Sequence, residues 1–376
     1  MIKIIAVGDI MPGGILNKTK DIFVSETVAD YLKNADFRIG TLECGIGNEP
    51  IFCPIKRGKG SSAFVYAEDD DLKRLLTLNI NAVSLANNHF FDLGEIGAKH
   101  TIRLLNKYGI SYFGAGMNLK EAQEPAVFNI SGKTIAFVGF CDTTIPFCQI
   151  ATETTAGINP LEEKNIYELV KTSKSKYDYV FAVIHWGKEH TWWPRPHVKR
   201  YAQILQNAGI SGIIGNHPHR VQSVCKIKGC PVAFSLGNFL FPDRVINTPY
   251  VTYYPSNIDS IKKMKSVYGF TRVQEPSLKL WPDIANIGMI LNVTCDNNST
   301  IAMNYKLTQI THSGFIDFKQ DSQRIEKILN LSRLVISSCL YSTILCTYEW
   351  SIKILKKCIS KFKRIIKSLL QFICQF

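Results

Sequence analysis

The stretch from Val83 to Gly94 constrains the fold of this chain more than any other. An apolar run of small and β-branched residues, which is typical of a buried strand, stops abruptly at Asn87-Asn88-His89. Helical spacing follows from Glu95 to Tyr108. Because ligands of α/β sheets bind beyond the carboxyl ends of the strands, this strand end predicts a site that binds a metal or moves a proton. The alternative is a loop whose amides cap the next helix.

Four further predicted strands end in residues of the same chemical kind. Asp9 follows the strand at 3–7, Glu43 follows the strand at 36–42, and His185 follows the strand at 179–184. His217 and His219 follow the strand at 212–215. Five such ends are hard to explain by the polarity of loops alone. Their carboxylate, amide and imidazole groups together favour Mn, Fe or Zn.

Strand and helix patterns alternate along the chain as far as residue 240. Further strands are predicted at 111–116, 134–140 and 232–236, and helices at 67–78, 166–176 and 198–207. Such alternation predicts a layered α/β architecture. The 376 residues, 46% of them hydrophobic, are enough for a sizeable core in one large or two smaller domains.

The charge and the cysteines narrow the class of protein and its compartment. A net charge of +13, from 44 basic and 31 acidic residues, predicts an anionic partner such as a phosphate, a polyanion or an acidic membrane surface. No nucleic-acid recognition motif is present, so nucleic acid is not a predicted partner. Eleven cysteines without a CxxC pair indicate reduced thiols, and residues 1–7 resemble a first strand rather than a signal peptide. We therefore expect a cytoplasmic protein.

The motifs at the strand ends resemble those of the CapA/PgsA family of poly-γ-glutamate capsule synthesis proteins. The residues that carry the resemblance, in the order of the family, are Gly8-Asp9, Leu42-Glu43, Ser84-Leu85-Ala86-Asn87-Asn88-His89 with Asp92 and Gly94, His185-Trp186-Gly187 with Glu189, Gly215-Asn216-His217-Pro218-His219, and Ser235-Leu236-Gly237-Asn238-Phe239. The resemblance covers residues 1–310. It implies an α/β fold, a four-layer αββα sandwich like that of calcineurin-like metallophosphoesterases.

The resemblance also implies a metal centre and roles for its residues. The implied ligands of one or two divalent metal ions (Mn, Fe or Zn) are Asp9, Glu43, Asn88, His185, His217 and His219, with Glu43 in the bridging position. A metal pair about 3.5–4 Å apart neutralises charge during an in-line displacement. His89, next to a ligand, would protonate a leaving oxygen or steady a phosphate.

Two functions are consistent with this resemblance. The first is a metal-dependent, phosphoesterase-like hydrolase in the biosynthesis of capsule, poly-γ-glutamate or a related extracellular polymer. The alternative is a non-catalytic assembly protein that keeps the fold and binds polymer or capsule-synthesis proteins. Met11 stands where metallophosphoesterases commonly have a histidine, which favours the alternative, whereas His89 and His219 favour the enzyme.

Several residues near these motifs have two interpretations. Arg195, in the aromatic and basic loop after His185, is expected to meet an anionic substrate. Asp92 either orients His89 or caps the following helix, and we expect the cap. Glu189 either orients a ligand histidine or faces water. The histidines without a strand-end context are interpreted as surface or core residues; they are His100, His190, His197 and His312.

The carboxyl-terminal part of the chain changes character. Residues 241–283 break the α/β rhythm and are a candidate insertion, and residues 311–376 are expected to form a helical tail. Leu334 to Tyr348 carries no charge, but its 15 residues are short for a membrane span, which needs about 20. The pattern of residues 350–376 predicts a basic amphipathic helix that lies on the anionic inner face of the membrane. A helix that docks on protein is the alternative.

Overall fold

The structure is a computed structural model, and it describes most of the first 337 residues. The described residues are 1–13, 16, 23–47, 65–241, 285–296, 300–311, 314–337, 341 and 345. The strands are β1 Ile2–Ile10, β2 Phe37–Leu42, β3 Gly45–Ile46, β4 Tyr66–Ala67, β5 Ala82–Ser84, β6 Ser111–Phe113, β7 Ala115–Gly116, β8 Ala126–Ile130, β9 Lys133–Cys141, β10 Gly157–Ile158, β11 Tyr179–His185, β12 Gly212–Asn216, β13 Val224–Ile227, β14 Cys230–Ala233, β15 Asn238–Leu240, β16 Ile287–Cys295, β17 Ile301–Ile310 and β18 Ile316–Phe318. The helices are α1 Glu26–Lys33, α2 Lys73–Thr77, α3 Gly94–Lys107, α4 Leu119–Gln123, α5 Glu163–Lys174, α6 Pro196–Asn207 and α7 Gln323–Ser337.

Two large mixed sheets contain most of these strands. The first has the order β18-β17-β16-β1-β2-β5-β6, with β15 also paired to β1, and the second has the order β13-β14-β12-β11-β9-β8. Neighbours from β1 to β6 in the first sheet are parallel, as are β9, β11, β12 and β14 in the second. The carboxyl ends of the central strands therefore lie along one edge of each sheet.

Alternating burial along the strands creates the layers. In β1, Ile2 and Ile4 face the cluster between the two sheets, whereas Ile5 and Val7 face the outer cluster that contains residues of α1 and α3. This is the two-residue period of a strand that is buried on both faces. Residues of α5 and α6 cover the outer face of the second sheet. The predicted four-layer αββα sandwich is confirmed.

The structure differs from the predicted elements in three places. The helix predicted at 67–78 is a 3₁₀ turn at Asp69–Leu72 followed by the short α2. The long antiparallel strands β16 and β17, which were not predicted, extend the first sheet beside β1. β18 continues that sheet past residue 310, and the division of the chain at that position stays a prediction.

Two of the predicted segments lie almost wholly outside the described residues. They are the candidate insertion at 241–283, of which only Phe241 is described, and the basic helix at 350–376. Within the predicted helical tail at 311–376, residues 316–318 form the strand β18, and the described helix is α7. Ile325 and Leu329 of α7 pack between the sheets, and Ile336 packs on the outer face of the second sheet. No helix among the described residues combines the length and the apolarity needed to cross a membrane.

Candidate metal centre

Side chains from both sheets meet where the parallel strands end. The first sheet supplies Asp9 from β1 and Glu43, the residue after β2, and the second supplies His185 from the end of β11. A hydrogen bond of 2.7 Å from Asn216 Nδ2 to Thr41 Oγ1 joins the two sheets at this edge. Polar groups are buried here because two apolar sheets pack face to face on either side of them.

The first group of candidate ligand atoms surrounds His185 Nε2. This nitrogen lies 2.9 Å from Asn88 Oδ1, 3.1 Å from His217 Nδ1 and 3.3 Å from Glu43 Oε1. At most one of these three contacts can be a hydrogen bond donated by the nitrogen. Glu43, His185 and His217 form one of the groups in the described residues that could hold a metal ion.

The second group is built on His219 and shares Glu43 with the first. His219 Nδ1 lies 2.9 Å from Asn238 Oδ1, and Asn238 Nδ2 donates a hydrogen bond of 3.0 Å to the carbonyl oxygen of Ala285. The amide is therefore fixed with its oxygen towards the imidazole, so Nδ1 carries the proton. Nε2 keeps its lone pair and lies 3.6 Å from Glu43 Oε1. Asp9, Glu43 and His219 form another group that could hold a metal ion.

The two carboxylates lack the hydrogen bonds that buried anions normally have. Asp9 and Glu43 are fully buried, and Asp9 Oδ1 and both oxygens of Glu43 accept no hydrogen bond from the described residues. Asp9 Oδ2 accepts a bond of 3.3 Å from the backbone N–H of His217. Buried carboxylates with so few donors are costly unless a cation compensates them.

The pKa values in the cluster follow from burial and from the neighbouring charges. Burial and the adjacent Glu43 raise the pKa of Asp9. Burial would also raise the pKa of Glu43, but electrostatic attraction to the imidazoles of His219 and His185 outweighs it and lowers that pKa. Burial lowers the pKa of His185 and of His217. Metal ligands must be deprotonated, and the lowered pKa values of Glu43, His185 and His217 favour that state.

These residues fit a divalent metal ion on grounds of geometry and of chemistry. Ligand atoms about 2.0–2.2 Å from one tetrahedral ion are themselves about 3.3–3.6 Å apart. The contacts of His185 Nε2, at 2.9–3.3 Å, are close to that spacing. Lone pairs of carboxylate, amide and imidazole groups converge with few protons between them, which is the donor set of a metal centre rather than of a hydrogen-bond network.

His89 and Asp92 form a pair beside this cluster. His89 Nδ1 lies 2.7 Å from Asp92 Oδ2, which also accepts a hydrogen bond of 2.6 Å from the backbone N–H of Val65. His89 is one of the charges that lower the pKa of Glu43, so it lies close to the cluster. α3 has Leu93 at its N-cap and no side-chain cap. The expectation that Asp92 caps this helix is therefore wrong, and Asp92 orients His89 instead.

The other residues singled out in the sequence lie in different surroundings. Arg195 is the N-cap of α6, and its charge opposes the rise that burial causes in the pKa of Tyr341. His197 Nε2 lies 2.8 Å from Asp142 Oδ2, and His100 Nε2 lies 2.7 Å from an oxygen of Asp69. His190 has no strand-end context in the sequence, yet the centroid of its ring lies 6.2 Å from that of His219. His312 lies outside the described residues.

Met11 contacts the backbone of its own loop. It is fully buried, and its sulfur accepts a hydrogen bond of 3.2 Å from the backbone N–H of Gly13. The thioether thus stabilises the loop after β1.

The fold and the cluster define a layered α/β protein with a candidate metal centre at the strand ends. Residues 3–243 match the family described as "Bacterial capsule synthesis protein PGA_cap". That match covers more than half of the chain, and the chain belongs to this family.

Two curated proteins similar to this chain come from Bacillus. The chain is 32% identical over 246 residues to "Capsule biosynthesis protein CapA" of Bacillus anthracis. This match covers 62% of this chain and 58% of that protein. It is 28% identical over 238 residues to "PGA biosynthesis protein CapA" of Bacillus subtilis (strain 168), with 62% of each chain covered. The chain thus spans less than two thirds of the length of either relative.

Solved structures with a similar arrangement include two nucleotidases. A putative 5'-nucleotidase from Staphylococcus aureus has a TM-score of 0.46 at 14% identity, covering 88% of this chain and 58% of that chain. The NAD nucleotidase of Haemophilus influenzae has a TM-score of 0.42 at 12% identity, covering 88% of this chain and 55% of that chain.

Proposed function

We propose that the cluster binds one or two divalent metal ions, of Mn, Fe or Zn, and that the protein is a metal-dependent, phosphoesterase-like hydrolase. The observation that carries this proposal is the convergence of unprotonated lone pairs on His185 Nε2 and around Glu43. The process it serves is the synthesis of capsule, poly-γ-glutamate or a related extracellular polymer, as the names of its relatives support.

Each ion would have its own set of ligands in this chain. Asn88, His185 and His217 would hold one, Asp9 and His219 would hold the other, and Glu43, which belongs to both groups, would bridge them. Divalent ions at such a centre supply positive charge that stabilises an anionic substrate during displacement. Burial of the ligands excludes water from the far side, so a substrate must approach from the loops at the strand ends.

His89 is the proposed proton donor to the leaving oxygen. Its Nδ1 is held by Asp92, which leaves Nε2 as the atom that donates the proton. The side chain is 13% exposed, so a substrate can reach it, whereas Asp92 is fully buried and fixes the ring from behind. A contact of Arg195 with an anionic substrate stays a prediction from the sequence, because the described surroundings of Arg195 are the start of α6 and Tyr341.

A non-catalytic assembly protein is the second candidate function. The observation that favours it is the position of Met11, whose sulfur is used within its own loop and supplies no ligand to the second group. A protein that kept the fold and only part of the centre would bind polymer or capsule-synthesis proteins without turnover.

A peripheral position on the anionic inner face of the membrane is proposed for residues 350–376. The support is the sequence pattern, an apolar stripe with seven Lys or Arg residues and no acid. Full-length protein would then pellet with membranes and be released by salt, and a chain ending near Ser332 would not pellet. Protein that resists the salt and alkaline washes contradicts a peripheral position.

Metal analysis of the purified protein tests the main proposal. After expression with added Mn, Fe and Zn, we expect at least one ion per chain and hydrolysis of p-nitrophenyl phosphate or bis(p-nitrophenyl) phosphate. Metal binding without hydrolysis of either ester would favour the assembly protein. Substoichiometric Mn, Fe and Zn would contradict the metal-dependent enzyme.

A further inference from the structure

Glu189 brings a third carboxylate to the candidate metal centre. It lies in the loop after β11, and its ligand oxygen and one nitrogen each of His217 and His219 are all within 4.8 Å of one another. The two histidines belong to different groups, since His217 lies with His185 and His219 lies with Asp9. Glu189 therefore meets one member of each group.

The position of Glu189 is opposite in character to that of Glu43. Glu43 joins the two groups from the buried side and is fully inaccessible, whereas the side chain of Glu189 is 51% exposed. Among the described residues, Asp9 and Glu43 thus reach these histidines from the buried side of the centre, and Glu189 reaches them from the solvent side. A divalent ion held between these sides would have ligands on both.

The loop that carries Glu189 is fastened to the segment that carries the two histidines. The backbone N–H of His190 donates a hydrogen bond of 2.8 Å to the carbonyl oxygen of Pro218. Gln222 Nε2 donates a bond of 2.8 Å to the carbonyl oxygen of Thr191. These bonds lie on both sides of His219, so the loop and the histidines are positioned together, as a preformed ligand set requires.

The three atoms lie within reach of one ion. Three ligand atoms equally spaced around an ion, each about 2.0–2.2 Å from it, are at most about 3.5–3.8 Å apart. The separations here are at most 4.8 Å, so binding of one ion requires them to shorten by at most about 1 Å. A half-exposed glutamate can make such a movement by rotating its side chain.

We propose that Glu189 is a metal ligand on the solvent side of this centre, and that it completes the site for a divalent cation together with His217 and His219. The inference rests on the proposed metal centre and assigns it a ligand that the sequence motifs left undecided. The competing role is an ion pair with His190, since Glu189 Oε2 lies 3.8 Å from His190 Nε2.

Metal binding by matched variants tests this assignment without reference to turnover. Full-length protein is stripped with a chelator, and Zn²⁺ and Mn²⁺ are titrated into it by calorimetry. Glu189→Gln should lower the affinity for at least one ion by about tenfold or more, or remove one ion from the stoichiometry. The control Glu153→Gln, at an exposed loop position, should bind like the unmodified protein.

Two further measurements distinguish a ligand from a residue that acts through His190. The d–d absorption of the Co²⁺-substituted protein should change in Glu189→Gln, because a ligand has been lost, and should stay the same in His190→Asn. If His190→Asn reproduces the loss of affinity, Glu189 acts through the ion pair and the assignment is wrong. Equal binding by Glu189→Gln and the unmodified protein also overturns it.

The outcome for the unmodified protein separates this inference from the function on which it rests. If the unmodified protein binds neither Zn²⁺ nor Mn²⁺, the metal centre itself is refuted. If it binds them and Glu189→Gln binds them equally well, only the assignment of Glu189 fails. The melting temperature of each metal-free variant shows that the chain has folded.

Discussion

The two sheets contribute opposite halves of the candidate centre. The first sheet brings the acids Asp9 and Glu43 and the loop amide of Asn88, and the second brings the imidazoles of His185 and His217. The acids lack hydrogen-bond donors from the described residues of their own sheet. The two groups that contain Glu43 take ligands from both sheets, so face-to-face packing of the sheets creates them.

The halves also differ in how they respond to burial. Removal from water raises the pKa of Asp9 but lowers the pKa of His185 and His217, so in each case the neutral form is favoured. For the imidazoles this leaves a lone pair ready for a metal, whereas for the acid it opposes the charge that a metal needs. The first sheet therefore bears the larger electrostatic cost when no ion is bound.

The largest effect on metal binding is expected when His185 is removed from the half of the centre that the second sheet supplies. Replacement by alanine removes the nitrogen on which three ligand atoms converge. We expect metal affinity to fall by at least about 100-fold, at or above the upper end of the loss typical of a substitution outside the ligand set. Metal content measured after dialysis checks this, with His100→Ala as the control. Normal metal content in His185→Ala would show that His185 does not hold the ion.

A change at His89 should separate catalysis from metal binding. His89→Asn removes the proposed proton donor and leaves the converging ligands in place, so we expect turnover to fall by about 10²–10⁴-fold with metal content unchanged. Steady-state hydrolysis of a p-nitrophenyl ester and metal analysis of the same sample measure both quantities. If the variant instead loses its metal, His89 is a ligand and its proposed role is wrong.

Substitution of Asn238 should weaken metal binding by His219 without removing that ligand. Its amide fixes the ring of His219, so Asn238→Ala frees the imidazole to rotate. We expect a loss of metal affinity of about 10–100-fold. Asn34→Ala, at an exposed position that bonds the backbone of α1, is the matched control. An unchanged affinity would show that packing alone orients His219.

The sequence predicted the parts of the fold that depend on local pattern. Apolar runs that end in Asp9, Glu43 and His185 were recognised because parallel central strands are buried on both faces. Asn238 was part of a recognised motif, but its role was missed because the partner that fixes it, Ala285, lies 47 residues away along the chain. The hydrogen bond from His89 to Asp92 was not predicted, because an acid shortly before a helix is commonly a cap.

The long antiparallel strands could not be recognised for a related reason. In β17 the first six residues alternate between half-buried and exposed, while β16 is buried almost throughout. β16 follows a long segment without an α/β rhythm, so the local sequence did not indicate that it returns to pair with β1. Pairings of this kind depend on contacts that are distant in sequence.

Removal of one acid from the first half should stabilise the metal-free protein while it weakens metal binding. Asp9→Asn replaces a buried carboxylate of raised pKa by a neutral amide that can donate to Glu43. Without metal at neutral pH we expect the free energy of unfolding to rise by about 1–3 kcal/mol, the contribution of a hydrogen bond to a charged group. Urea unfolding in chelator measures it, and the exposed Asp30→Asn is the control. A metal-free Asp9→Asn less stable than the unmodified protein would contradict the cost assigned to this acid.

The smallest effect is expected at the opposite edge of the second sheet, where an acid is well satisfied. Bonds from the backbone N–H of Thr134, the ammonium of Lys133 and the hydroxyl of Thr134 lower the pKa of Asp178 to about 2. A pKa lower in the folded than in the unfolded state stabilises the fold above about pH 4, and the stabilisation is lost as the pH falls towards 2.

Asp178→Asn tests whether an acid outside the centre behaves in the opposite way to Asp9. The side chain is 36% exposed and therefore screened by solvent, so at neutral pH we expect a loss of at most about 1 kcal/mol. Urea unfolding at several pH values should show the difference from the unmodified protein shrinking between pH 4 and pH 3. A difference that is constant with pH would mean that the carboxylate charge is not its source. The contrast between Asp9 and Asp178 would then come from their burial alone, and not from the hydrogen-bond donors that surround Asp178.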